Sequence, residues 1–198
     1  MGRRWLSVVL ASVSTAAAFG QEVAPSPPAP PPRSIGATIS RQEPPKVVPR
    51  LLDGADPSQA SVYVSLGRQR AYLSIGHEVA IDTPVSTGKP RAMTPKGEFA
   101  VREKKTSSSS RFFGDYVDGE GRVVRAAVST RTDAAPSGTT FRAVPVQYYL
   151  RLNDEGLALH AGPLPGYPAA DCAVRLPADI APLFFQRVNA GTPVKIGD

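Results

Sequence analysis

The chain predicts a mostly β fold, a sandwich or barrel-like sheet with one short helix near the C-terminus. Three observations predict it. Apolar residues alternate with polar ones in short runs, the period of half-buried strands. Gly, Pro, Asn and Asp clusters separate those runs, as turns between strands require. A single stretch near the end carries apolar residues at helical spacing instead, so many strands and one helix is the expected inventory.

The first twenty residues read as an export signal. Gly2-Arg3-Arg4 supply a positive start, Trp5 to Phe19 an apolar run, and Ala16, Ala17, Ala18 and Gly20 a small-residue cleavage site. The run is short and diluted by Ser7, Ser12, Ser14 and Thr15, below the ~20 apolar residues of a spanning helix. No transmembrane span is therefore expected after cleavage, and the mature protein is placed in the periplasm or cell envelope. Residues 21–60 read as a linker. Pro25 to Pro32 holds six prolines in eight residues, and Pro44, Pro45, Pro49 and Pro57 follow. Proline fixes φ and removes donors, which favours extended polyproline II over a packed core.

Residues 61–198 form the expected domain, of a size that supports its own core. Val62, Val64 and Leu66 alternate with Tyr63 and Ser65 as one strand, and Ala71, Leu73 and Ile75 continue the pattern after a turn at Gly67-Arg68-Gln69. Gly76-His77-Glu78 turns into a strand at Val79-Ala80-Ile81, and His77 reads as a solvated turn residue. Phe99 to Val101 and Val123-Val124 predict further short strands. Gln147 to Leu152 and Leu157 to Leu159 predict a hairpin around Asn153-Asp154-Glu155-Gly156. Ile180, Leu183, Phe184 and Val188 share one helical face, with Asp179 as cap, Pro182 in the first turn and Gly191 closing. Pro193 to Ile196 is the closing strand.

Formal charge falls from +6 to +4 when Arg3 and Arg4 leave with the signal. That suits an anionic envelope polymer, while the scattered basic residues and the export signal argue against nucleic acid. Two histidines far apart make no ligand cluster, so no metal or organic cofactor is expected.

The chemistry concentrates in Leu159-His160-Ala161-Gly162-Pro163-Leu164-Pro165-Gly166-Tyr167-Pro168-Ala169-Ala170-Asp171-Cys172-Ala173-Val174-Arg175-Leu176-Pro177. It holds the only cysteine, which can form no internal disulfide, and a histidine a short loop away. A thiol beside a base suits nucleophilic acyl chemistry, because the thiolate is the attacking form.

This segment resembles the active-site motif of the L,D-transpeptidases, His-x-Gly followed by Ser-His-Gly-Cys-(Val/Ile)-Arg-Leu-Pro. The resemblance extends to Gln69 to Leu73, to Val85-Ser86-Thr87-Gly88-Lys89 with Thr94-Pro95-Lys96-Gly97-Glu98-Phe99, to Phe113 to Tyr116, to Thr140-Phe141 with Tyr148-Tyr149, and to Gly191 to Val194. It implies a β-sandwich-like sheet with a small helix and exchange of peptidoglycan peptide stems through a cysteine acyl-enzyme, for cross-linking or protein attachment. On this chain it implies His160 as general base, the Ala161 backbone carbonyl as its orienter, Cys172 as nucleophile, the Ala173 backbone N–H at the oxyanion and Arg175 as support for the loop. Peptide stems, and envelope proteins as acceptors, are the implied partners.

The chain departs from the motif where it matters most. Without gaps, Ala170-Asp171-Cys172-Ala173 stand in place of Ser-His-Gly-Cys. Either the register is kept, Ala173 takes the nucleophile's place and the domain is an inactive binding or structural module, or the loop slips by one residue and Cys172 becomes the nucleophile. In the first case Cys172 occupies a glycine position and adds backbone strain. Asp171 is a candidate hydrogen-bond partner for His160, and its charge opposes a neighbouring thiolate.

Overall fold

The structure is a computed structural model and describes residues 42–90 and 93–198. The expected signal, residues 1–20, and residues 21–41 of the expected linker lie outside the described residues. No helix among the described residues is long and apolar enough to cross a membrane.

Among the described residues, eleven strands form two sheets. The first sheet contains β1 (Lys46–Val47), β2 (Ala60–Ser65), β3 (Arg70–Ile75), β4 (Glu78–Pro84), β5 (Gly97–Ala100) and β11 (Pro193–Gly197), in the order β1-β4-β3-β2-β11-β5. The second contains β6 (Glu103–Val117), β7 (Val123–Ser129), β8 (Thr140–Arg151), β9 (Ala158–Ala161) and β10 (Val174–Leu176), in the order β10-β9-β8-β6-β7. Alternation sets the faces as expected: Val62, Val64, Ala71 and Leu73 are buried, while the intervening Tyr63 and Tyr72 stack at 6.0 Å on the other face. One apolar core joins both sheets, with Leu150, Leu159 and Val174 from the second packed among Val64, Leu73, Ile81, Val194 and Ile196 from the first.

The expected linker runs to residue 60, and its described part packs on the domain. Lys46 and Val47 pair antiparallel with Asp82 and Ile81, and a one-turn helix, α1 (Pro49–Leu52), buries Leu52 in the core. Arg70, paired with Asp82, also donates from Nη1 to the Glu43 carbonyl at 2.9 Å. Prolines permit this because Pro49 stands in the first turn of α1, where a missing N–H costs nothing.

The longest strand, β6, shows no alternating pattern in sequence. Lys104 to Ser110 offers almost nothing apolar because most of that stretch is solvent-exposed, and pairing with β8 holds it instead. The β8–β9 hairpin forms where expected, closed by Asn153, whose Oδ1 accepts from Glu155 N at 3.0 Å and Leu157 N at 2.8 Å. The helix α2 (Ala181–Arg187) starts one residue later than its expected cap allows. Ile180 is the N-cap, with no side-chain hydrogen bond, and Asp179 stays exposed. Gly191, at φ 94°, turns the chain into β11, and the last helical bond is Val188 N to Phe184 O.

Candidate active-site cleft

His160 sits on β9, and β10 runs parallel beside it with Arg175 as the register partner of His160. Register partners project on the same face, so imidazole and guanidinium lie side by side. Gly162 makes room for this, since a Cβ there would meet the Arg175 side chain at 3.1 Å. Phe113 of β6 completes the wall, with the guanidinium 5.7 Å from its ring centroid.

The imidazole is oriented by its own strand. Nδ1 lies 2.8 Å from the Ala161 carbonyl, which only accepts, so Nδ1 carries the proton and Nε2 keeps its lone pair. Burial pushes the His160 pKa down, the Arg175 charge adds to that, and the Ala161 hydrogen bond opposes it. A neutral imidazole with a free Nε2 is the form a general base needs.

The loop leading into β10 is fastened by the Ser86-Thr87-Gly88 and Thr94 segments. Ser86 and Arg175 exchange backbone hydrogen bonds at 3.1 and 2.9 Å, and Ser86 Oγ donates to the Tyr167 carbonyl at 2.8 Å and accepts from Ala169 N at 3.1 Å. Ala170 N donates to the Thr87 carbonyl at 2.9 Å. Thr94 Oγ1 accepts from Gly88 N at 2.8 Å and lies 3.2 and 3.3 Å from the carbonyls of Cys172 and Ala173. These motif residues hold the site loop from beneath.

A cavity of about 230 Å³ opens over this arrangement, lined by His160, Ala161, Gly162, Asp171, Ala173, Arg175, Ser110, Phe113 and neighbours. Ala173 lies on it, and the Ala173 N–H has no backbone acceptor among the described residues. Cys172 does not line it. Cys172 has φ 70°, is buried, and belongs to the apolar core with Val174. The Arg131 guanidinium, itself 3.9 Å over the Phe112 ring, reaches the thiol. Burial pushes the Cys172 pKa up, Arg131 opposes this and the Asp171 carboxylate reinforces it.

The structure thus brings His160, Ala161, Ala173 and Arg175 together around one cavity, and places the Cys172 side chain in the core. Asp171 lines the cavity too, but its hydrogen bond is to Ser129 Oγ, which donates to Oδ2, rather than to His160. Ser129, Arg131 and Ser110 carry no motif in sequence; Ser129 ends an ordinary strand and Arg131 lies in the turn after it. His77 is exposed in the β3–β4 turn, away from the cleft. Among the described residues, no group of three His, Cys, Asp or Glu side chains is arranged to hold a metal.

No curated protein matches the chain. Its fold is similar to that of the LD transpeptidase LdtMt1 solved with imipenem, at 21% identity and TM-score 0.54, covering 70% of this chain and 58% of that one. An L,D-transpeptidase from Mycobacterium smegmatis is similar at 19% identity and TM-score 0.53, with 70% and 58% covered. L,D-transpeptidase 3 from Mycobacterium tuberculosis is similar at 17% identity and TM-score 0.53, with 71% and 61% covered. The chain therefore spans about three fifths of the length of each of these structures. The family model of the L,D-transpeptidase catalytic domain matches residues 59–196, more than half of the chain, and the chain belongs to that family.

Proposed function

We propose that the chain is an exported, envelope-located member of the L,D-transpeptidase family that binds peptidoglycan peptide stems in the His160 cleft and does not transfer them through Cys172. The observation that carries this reading is the pairing of His160 with Arg175, which sets Ala173, two residues before Arg175, on the cavity and leaves Cys172 in the core. The φ of 70° at Cys172 supports it, because a glycine of the family motif stands there in the gapless comparison. The expected signal at residues 1–20 supports export.

A working cysteine acyltransferase is the second reading. It is favoured by the neutral His160 and by Arg131 beside the thiol, and it requires the 170–173 loop to slip by one residue. Intact-mass measurement after incubation with imipenem separates the two. The first reading expects no adduct on the native protein and an adduct on the triple variant Asp171→His, Cys172→Gly, Ala173→Cys. An adduct on the native protein that disappears in Cys172→Ala would establish the second.

A further inference from the structure

Asp171 and His160 offer two hydrogen-bond acceptors to one small space. Asp171 is held from one side, Oδ2 by Ser129, while its Oδ1 is buried with no partner among the described residues. With Nδ1 committed to Ala161, His160 Nε2 is the second acceptor. Both residues, together with Ala173, line a cavity of about 30 Å³ that adjoins the larger cleft. A polar space of that size accommodates a water, which needs roughly 10–15 Å³ and at least two polar partners.

The surrounding charges select the occupant. Arg111 from β6 lines the small cavity and Arg175 from β10 lines the larger one, and these two cations offset the Asp171 carboxylate, so a neutral donor is favoured over an ion. A neutral molecule with two hydrogens satisfies both acceptors, and water does so while keeping its lone pairs for an electrophile.

We propose that His160 and Asp171 hold a water beside Ala173 as the nucleophile for hydrolysis of an amide bond in a peptide stem bound in the cleft. This inference rests on the stem-binding reading above. The water oxygen forms a bond to the amide carbon as His160 Nε2 takes one of its protons. The carbonyl oxygen becomes an oxyanion that faces the Arg175 guanidinium and the Ala173 N–H, a preorganised positive wall. Collapse breaks the C–N bond, and His160 returns the proton to the leaving amine. The products are a carboxylic acid and an amine, and no other reactant enters. Asp171 orients the water and balances the imidazolium that forms transiently.

The test incubates the full-length protein with a synthetic tetrapeptide stem in ¹⁸O-water and follows products by mass spectrometry, with stem affinity measured by calorimetry. The expected product carries one ¹⁸O in its new carboxylate. Cys172→Gly, which suits the backbone at that position, retains turnover. His160→Gln lowers kcat by about 10²–10⁴-fold, the range of a lost general base. Asp171→Asn, which turns a donor towards the water, lowers kcat by more than about tenfold with KM little changed. A stem that binds but is not cleaved overturns this inference and leaves the binding reading standing. Loss of turnover in Cys172→Gly overturns it in favour of a thiol route. A stem that does not bind overturns both readings.

Discussion

His160 and Arg175 are register partners across the parallel β9–β10 pair, and this pairing decides which residue of the preceding loop meets the imidazole. Side-chain direction alternates along an extended chain, so a one-residue slip exchanges the cavity face for the core face. Ala173 and Arg175 both line the cavity, whereas Cys172 and Val174 both belong to the core. The loop's register therefore carries the chemistry, and the contacts that fix the register should control stability as well.

Thr94 is the first such contact. Its hydroxyl accepts from Gly88 and faces the carbonyls of Cys172 and Ala173, all of them buried. Thr94→Val keeps the shape and leaves those groups without a partner, at a cost of about 1–3 kcal/mol. Urea unfolding of the variant should show a lower midpoint with an unchanged slope. An unchanged midpoint would mean that the loop is held without Thr94.

Cys172 offers a substitution order opposite to the usual one. Its φ of 70° is strained for a residue with a Cβ and natural for glycine. Cys172→Gly and Cys172→Ala both remove the sulfur from the core, but only Ala retains the strain. The glycine variant should be the more stable of the two by about 1 kcal/mol. Alanine winning in thermal unfolding would contradict the left-handed backbone assigned here.

Much of this was legible in the sequence, and the rest was hidden for definite physical reasons. The strands with clean alternation, such as Ala60–Ser65 and Arg70–Ile75, lie where their pattern puts them. The motif residues around His160 led to the cleft, because His-x-Gly and Arg-Leu-Pro are tied by direct strand pairing. Strand β6 was missed because its first half, Lys104 to Ser110, is polar and mostly solvent-exposed, so its side chains need no period there. Segment 46–59 was read as linker because its prolines obscure a two-residue edge pairing and the burial of Leu52. Nor does anything in sequence link Ser129 or Arg131 to the loop 42 residues downstream.

That N-terminal segment supplies a third prediction. Leu52→Ala opens a cavity in the core and should cost about 2–4 kcal/mol. Deleting residues 42–59 should lower the melting temperature further, as it also removes the β1 pairing and the Glu43 contact of Arg70. A truncated domain that melts with the intact one would show that the segment contributes nothing to stability.

The buried imidazole predicts an acid-side loss of stability. Its folded pKa is depressed below the ordinary 6.5, mainly by burial, with Arg175 adding to the shift. Below about pH 6.5 the unfolded chain takes up a proton that the folded one refuses, so the unfolded state gains ground. Stability should be full above that pH and fall as pH drops towards the depressed folded value. Urea midpoints between pH 7.5 and 5 should slope accordingly, and His160→Gln should flatten the slope over this range. A slope unaffected by that substitution would remove His160 as its source.

The most direct measurement is the alkylation rate of Cys172 by iodoacetamide, in the native and urea-unfolded protein and in native His160→Gln. A buried thiol with a raised pKa, off the cavity that His160 lines, should react more than about tenfold more slowly folded than unfolded. Its folded rate should not change when His160 is replaced. A folded thiol that reacts as fast as the unfolded one, and slows in His160→Gln, would place Cys172 beside the base and contradict the register on which this account stands.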